Sequence, residues 1–322
     1  MSLINIESST NAASDTISTD VAFGTTSVTA AFGTTSVTAA SNDTVATCPV
    51  CPHACTLKEG RFGACGARRA SGGVVVADNY GKLTSLALDP IEKKPLVRYH
   101  PGAMILSAGS YGCNLNCSFC QNSDISRMHG NRLSGRINES TPENLVEAAV
   151  SLKSRGNIGL AYTYNEPLVG FEFILDTARL AHEAGLLNVI VSNGYINEPV
   201  FRELLSHLDA ANIDLKAFSQ KFYDMVGAPE GLKTVKRSIA LAAQFIHVEV
   251  TTLIIPGLND SVEEIDELTA WLAGIDASIP YHLSRFHPSY RMLDKPPTPR
   301  STILKLTEIA QKHLKYVYTG NI

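Results

Sequence analysis

From Met104 onward the chain alternates between short apolar runs and longer amphipathic stretches, and this alternation narrows the possible folds more than any other feature. The runs are "MILSAG" (104–109), "NIGLAYT" (157–163), "LNVIVSN" (187–193), "AANIDLK" (210–216), "HVEVTTLII" (247–255), "IPYHLSRF" (279–286) and "KYVYTG" (315–320). They have strand length, and "HVEVTTLII" is rich in β-branched residues. Between the first two, "TPENLVEAAVSLKSRG" (141–156) predicts a helix. Thr141 can cap it, Pro142 suits the first turn, Leu145, Ala149 and Leu152 share a face, and Gly156 stops it. Further helices are predicted over 171–185, about 197–207, the stretch up to about 243, 261–274 and about 301–312. Strand–helix units at this spacing call for parallel strands joined by crossover helices. The expected fold class is therefore α/β, a partial (β/α)6-type barrel of the TIM kind.

Barrels of this kind carry their chemistry at the C-terminal ends of the strands. The polar motifs of this chain fall there. A loop with three cysteines, "YGCNLNCSFCQN" (111–122), follows the first run, "YNEP" the second and "NGY" the third. "LK" closes the fourth, "PGLND" follows the fifth and "FHP" the sixth.

All seven cysteines lie in two clusters, Cys48, Cys51, Cys55 and Cys65, then Cys113, Cys117 and Cys120. A disulfide framework would spread them across the fold; clustering in a large acidic chain favours metal binding in a reducing compartment, and so a cytoplasmic location. Four thiolates complete a tetrahedral structural zinc site, and they equally suit an auxiliary Fe–S cluster. Pro49, Pro52, Gly63 and Gly66 mark tight turns around them, and His53 is an alternative ligand. Three thiolates in one loop leave a coordination position open. In a 4Fe–4S cubane three irons are then held and the fourth is free. A zinc knuckle with a distant fourth ligand, or three core thiols, is the plainer reading of the same spacing. Gly112 lets the loop wrap closely, and Phe119 can keep water away.

The first 47 residues differ from the rest. They contain neither Lys nor Arg, and "AFGTTSVTA" occurs twice in succession, at 22–30 and 31–39. Two nine-residue copies cannot stack into a core, and a secretory or transit peptide needs the basic residues that are missing. A disordered tail is expected over 1–47, a cysteine-bearing module over 48–103 and the barrel over 104–322. The net charge of −4 argues against a nucleic-acid partner. No apolar run approaches the ~18 residues of a membrane span.

The three-cysteine spacing, with an aromatic before the last cysteine, resembles the signature of the radical S-adenosylmethionine (SAM) superfamily. "ALDPIEKKPL", "GCNLNCSFCQN", "AYTYNEP", "VSNGYIN", "NIDLKAF", "HVEVTTLIIPGLND" and "SRFHPSYRMLDKPPTP" resemble the AmmeMemoRadiSam-system radical enzymes, relatives of the pyruvate formate-lyase activating enzymes. The resemblance spans about residues 48–321. It implies a 4Fe–4S cluster on Cys113, Cys117 and Cys120 whose free iron chelates SAM. One low-potential electron, from a flavodoxin- or ferredoxin-like donor, would cleave SAM to methionine and a 5′-deoxyadenosyl radical that takes hydrogen from the substrate. Memo-like and Amme-like companions are implied partners.

The same resemblance implies site residues. Asn165 and Glu166 stand where the superfamily has its Gly-Gly-Glu-Pro segment, near the methionine amino group. Ser192 and Asn193 lie in "VSNG", where activases carry Asp-Thr-Asn-Gly; Val191 lacks the carboxylate that helps those enzymes bind a cation. Asp214 and Lys216 approach the cofactor carboxylate, and His287 the ribose. Taken alone, Asp214 and Lys216 also read as an ordinary ion pair, and His287 as a loop histidine. Longer relatives continue past "YVYTGN" with another cysteine pair, and a site using that pair is expected to be absent. Two other functions stay open, activation of a glycyl-radical enzyme and a non-catalytic Fe–S protein that carries electrons or senses iron.

Overall fold

The alternation folds as a single curved sheet with helices on its outer face. The computed structural model describes residues 45–127 and 137–322. The tandem repeat and the expected tail up to residue 44 lie outside the described residues.

The chain opens with hairpins. Strands β1 (Val45–Thr47) and β2 (Thr56–Lys58) pair antiparallel, as do β3 (Arg68–Ser71) and β4 (Val74–Ala77). Three residues expected in the tail thus belong to the cysteine module, because Thr47 pairs with Thr56 to close the hairpin around the first cysteines. The short β5 (Lys82–Leu83) leads into β6 (Ser85–Pro90), which runs antiparallel to β7 (Met104–Gly109) in the main sheet. This moves the module–barrel boundary expected at 103/104, since β6 already belongs to the sheet. "SLALDP" hid this strand because it lacks β-branched residues and ends in proline.

After β7 come the cysteine loop, the single turn α1 (Ser123–Ser126) and β8 (Asn138–Glu139), which pairs with β5. The chain then alternates as α2 (Pro142–Ser151), β9 (Asn157–Tyr162), α3 (Phe171–Glu183), β10 (Leu187–Ser192), α4 (Glu198–Leu205) and β11 (Ala210–Asp214). Next come α5 (Gln220–Met225), α6 (Gly231–Ala242), β12 (His247–Ile254), α7 (Val262–Asp276), β13 (Tyr281–Arg285), α8 (Arg300–Ala310) and β14 (Val317–Gly320). Thr141 caps α2 as expected, accepting from Asn144 N at 3.2 Å, and Gly156 ends the turn after it in the left-handed region. The helical stretch up to 243 splits in two, because Gly227 and Pro229 stand between α5 and α6.

The sheet order is β14-β13-β12-β11-β10-β9-β7-β6. The strands from β7 to β14 pair parallel, and β6 and β14 are open edges, so the barrel is partial. Among the described residues the strands of the six expected units, β7, β9, β10, β11, β12 and β13, lie parallel with the closing run as β14, and β6 is added as an antiparallel strand. Alternate residues divide the two faces. Leu106, Leu160, Ile190, Ile213, Val250 and Leu283 pack outward under the helices. Ile105, Ala161, Val189 and Ala210 point inward and pack on Ile91 and Leu96. These two belong to the segment between β6 and β7, which plugs the N-terminal end of the lumen. Asn212 Nδ2 donates to Pro95 O at 2.9 Å, and the Glu249 carboxylate accepts from Val97 N and Arg98 N at 3.1 and 2.7 Å. Among the described residues no helix is long and apolar enough to cross a membrane.

Candidate active site

Leaving β7, the chain must turn sharply at the mouth of the lumen. Gly112 has φ +89, and a Cβ there would lie 2.5 Å from Ala67 Cβ and 2.7 Å from Cys65 O. Only glycine fits. The next residue, Cys113, donates its N–H to Cys65 O at 3.1 Å, so the two cysteine regions are joined by a backbone bond. Leu115, Cys117 and Phe119 are buried, and the Phe119 ring packs 6.0 Å from that of Phe222. Cys113 Sγ receives Leu115 N at 3.4 Å and Asn193 Nδ2 at 3.8 Å, and Cys120 Sγ lies 3.3 Å from Ser126 Oγ.

Cys113 and Cys117 are held where ionising them is unfavourable without a cation. Burial pushes Cys113 well above the usual thiol range, and Glu166 and Cys117 add to it. Burial pushes Cys117 up to about 11; Lys216 pulls it down and Cys120 pushes it up. Among the described residues no three Cys, His, Asp or Glu side chains converge on a single ion-sized point. The donor set, soft sulfurs from one loop that are neighbours of each other and of a lysine, fits an Fe–S cluster.

The strand-end motifs surround this loop. Glu166 is buried, and its Oε1 accepts from Ser192 Oγ at 2.7 Å and Leu168 N at 3.1 Å, its Oε2 from Asn193 N at 2.8 Å. Burial pushes its carboxyl up to about 7 despite these bonds, with Asp214 adding to the rise. Asn193 joins β10 to the cysteine loop, donating from Nδ2 to Asn114 Oδ1 at 2.9 Å. Asn165 uses both faces of its amide on the backbone. Oδ1 accepts from Ser110 N at 3.0 Å, and Nδ2 lies 3.1 Å from Tyr111 O and Gly112 O. This half-buried side chain shapes the loop.

Lys216 Nζ lies 2.9 Å from Asp214 Oδ2. Burial lowers the Lys216 pKa, but the Asp214 carboxylate outweighs it, and a thiolate at Cys117 would add to it, so the ammonium is held above the ordinary lysine range. Lys216 therefore stays charged beside the middle cysteine. Asn259 of "PGLND" fixes that strand end, donating to Lys216 O at 2.7 Å and Leu253 O at 2.9 Å. His287 is exposed on the loop after β13. The same loop lies on the cysteine loop, with Arg291 N donating to Ser118 O at 2.9 Å and Ser289 Oγ to Cys120 O at 3.3 Å.

The upstream cysteines sit on the hairpin turns. Cys48 N donates to Cys55 O at 2.9 Å, and Ala64 N approaches Cys55 Sγ at 3.5 Å. Cys48, Cys51 and Cys65 are buried. Burial pushes Cys51 up to about 12, the backbone at His53 pulls it down, and Cys48 and Cys65 push it further up, so the three feel one another. His53, the alternative ligand, uses Nε2 on Asn114 O at 2.8 Å. Sequence reading missed Asn114, which also donates to Tyr195 O at 2.7 Å and so ties three segments together. Its signal is a polar residue between two cysteines of the loop.

Comparison with known proteins decides the family. The Radical SAM superfamily model matches residues 108–272. The chain belongs to the radical SAM superfamily. It is 40% identical to an uncharacterised protein of Methanocaldococcus jannaschii over 87% of this chain and 83% of that one. It is 29% identical to the pyruvate formate-lyase-activating enzyme of Clostridium pasteurianum, over 53% of this chain and 72% of that one. A putative glycyl-radical enzyme activating enzyme of M. jannaschii is 24% identical over 66% and 87%. The fold is that of a radical SAM methyltransferase from Sphaerobacter thermophilus, with a TM-score of 0.53 at 16% identity over 69% of this chain and 67% of that one. Streptococcus suis SuiB bound to S-adenosylmethionine gives 0.52 at 15% identity over 66% and 48%. A 4Fe–4S cluster and SAM are the cofactors that membership of this superfamily implies.

Proposed function

We propose that this radical SAM protein is an enzyme that cleaves SAM reductively on a 4Fe–4S cluster held by Cys113, Cys117 and Cys120, and uses the resulting 5′-deoxyadenosyl radical to take hydrogen from a substrate in the barrel lumen. The observation that carries this reading is the three-thiol loop at the end of parallel strand β7 with the Lys216–Asp214 pair at the end of parallel strand β11. When bound, the cluster would supply the low-potential electron for SAM cleavage. The chain's own residues do the rest. Lys216, balanced by Asp214, presents an ammonium for the SAM carboxylate. Glu166 holds Ser192 and Asn193, which line the mouth beside Cys113. Asn165 shapes the turn at Gly112. His287 stands exposed on the rim, available to the ribose. Phe119 and Phe222 keep water from the loop.

The upstream Cys48, Cys51, Cys55 and Cys65 form, in this reading, a second metal site, zinc or an auxiliary cluster. Three buried thiols on adjoining turns, in backbone contact with the radical loop, support it. A flavodoxin- or ferredoxin-like protein is the electron donor. The system is that of the AmmeMemoRadiSam enzymes, with Memo-like and Amme-like companions, supported by the four-cysteine module and by Val191 where activases have Asp. Activation of a glycyl-radical enzyme is the second reading, favoured by the activating enzymes among the relatives.

Anaerobic reconstitution with iron and sulfide, then dithionite and SAM, tests the central reading. One 4Fe–4S signal on the barrel loop and formation of 5′-deoxyadenosine are expected. A reconstituted cluster that leaves SAM intact would reduce the protein to an electron carrier.

A further inference from the structure

Below the rim, the inner face of the sheet carries a polar group that none of the proposed SAM contacts uses. Asp89 on β6 stands opposite Ile105 on β7, so it faces the lumen with Ile105 and with Ser107 two residues on. Lys94, on the plug segment, reaches into the same space. Its Nζ lies 2.9 Å from Asp89 Oδ2 and 4.7 Å from the centre of the Tyr164 ring. The Tyr164 phenol donates to the same carboxylate oxygen at 2.8 Å. Among the described residues the buried Ser107 Oγ meets no geometrically sound hydrogen-bond partner, and the nearby Tyr164 phenol is the group it acts on.

Two features exceed what a structural ion pair requires. Tyr164 has φ +74, a conformation that strains a bulky residue and persists mainly at functional positions. Gly109 makes room for it, since a Cβ there would lie 2.7 Å from the Tyr164 ring. The second feature is the buried hydroxyl of Ser107, for which the Tyr164 phenol is the one partner at hand among the described residues, since buried polar atoms nearly always find partners. Lys94 itself is 3% exposed, while Asp89 beside it is 15% exposed, so the cluster is approached from the carboxylate side. Burial holds the Lys94 ammonium below the ordinary lysine range, with Asp89 pulling the other way. A desolvated amine beside a carboxylate, a phenol and a hydroxyl has the parts needed for carbonyl condensation.

We propose that Lys94 anchors the substrate covalently, its amine condensing with the carbonyl of a small aldehyde or ketone in the lumen. This rests on the lumen being the substrate chamber of the radical reaction. The ammonium passes a proton to Asp89, and the free amine attacks the carbonyl carbon. The carbonyl oxygen takes that proton through the Tyr164 phenol, with Ser107 Oγ bonded to it. A second proton, from the nitrogen, leaves with the oxygen as water while the C=N bond forms. One amine and one carbonyl give one imine and one water, and no electrons change hands.

Reductive trapping tests this without cluster or SAM, so a negative result leaves the radical reading standing. The full-length protein is incubated with cyanoborohydride and either glycolaldehyde or hydroxyacetone, and adducts are mapped by peptide mass spectrometry. Lys93, 66% exposed and itself 3.4 Å from Asp89 Oδ1, shares the carboxylate without any contact to the phenol and is the internal control. Lys94 is expected to be labelled roughly tenfold faster than Lys93 despite its burial, and Tyr164→Phe to slow Lys94 by roughly fivefold without changing Lys93. Labelling of Lys94 no faster than Lys93 with both probes would overturn the proposal. An unchanged Lys94 rate in both Tyr164→Phe and Ser107→Ala would overturn the roles given to those hydroxyls.

Discussion

Glu166 at the rim of the lumen and Glu249 at its floor are both buried carboxylates, and the protein treats them in opposite ways. Glu166 accepts only from neutral donors, and burial with the nearby Asp214 pushes it up to about 7. Glu249 is also opposed by burial, but His247 and His282 at 3.0 and 2.6 Å, with two plug amides, bring it down to about 2. At the floor the chain answers its own charge. At the rim, burial and mutual repulsion make the Cys113 thiol and Glu166 hard to ionise, a cost that a bound cation would relieve. Changes at the rim should therefore touch chemistry, and changes at the floor should touch the fold.

The largest expected effect is at the rim. Cys117→Ala removes one of three cluster thiolates, so 5′-deoxyadenosine formation should be abolished while circular dichroism stays that of the folded barrel. Surviving cleavage would break the cluster assignment, and loss of the fold would break the contrast with the floor.

Glu249→Ala comes next. It leaves two imidazoles and two plug amides without their acceptor, and breaking a buried pair of this kind costs about 3–5 kcal/mol. Denaturant unfolding should show that loss, and a change within experimental error would mean the plug is held by Ile91 and Leu96 alone.

The two glutamates should also give pH slopes of opposite sign. Glu249 has its folded pKa below the ordinary 4.5, so its contribution is full above that value and is lost as pH falls towards about 2. Glu166 has its folded pKa raised, so stability falls as pH rises from about 4.5 through about 7. Glu249→Gln should flatten the acid limb of a melting profile, and Glu166→Gln the limb from about 4.5 to 7 in metal-free protein. Slopes of the same sign would refute the comparison.

Lys216→Ala should have the smallest effect. It removes one charge-assisted contact of about 1.5–3 kcal/mol, so SAM affinity should fall roughly ten- to a hundredfold with iron content unchanged. Unchanged affinity in a SAM titration would leave Lys216 as a partner of Asp214 alone.

Much of the barrel was legible in the sequence because its signals are local. The run "NIGLAYT" and the capped "TPENLVEAAV" state their periodicity within a dozen residues. The cysteine loop is equally local, since Cys113, Cys117 and Cys120 share one turn region and Gly112 announces the bend. Strand β6 was not legible, because its reason to extend is the pairing of Ser85–Pro90 with β7 rather than any β-propensity of its own.

The sequence by itself determined which strand ends carry polar chemistry and that three thiols would stand at the first of them. Tertiary structure alone decided what those polar residues do. Asn165 reads as a cofactor contact until the fold brings Ser110, Tyr111 and Gly112 around its amide. Glu249 and His282 look like ordinary strand residues until β12 and β13 pair and turn both inward. Asp89, Lys94 and Tyr164 lie up to 75 residues apart and meet only across the lumen. Side-chain periodicity is written into neighbouring residues, whereas burial and charge pairing depend on groups that are distant in the chain and are set only when the sheet curves.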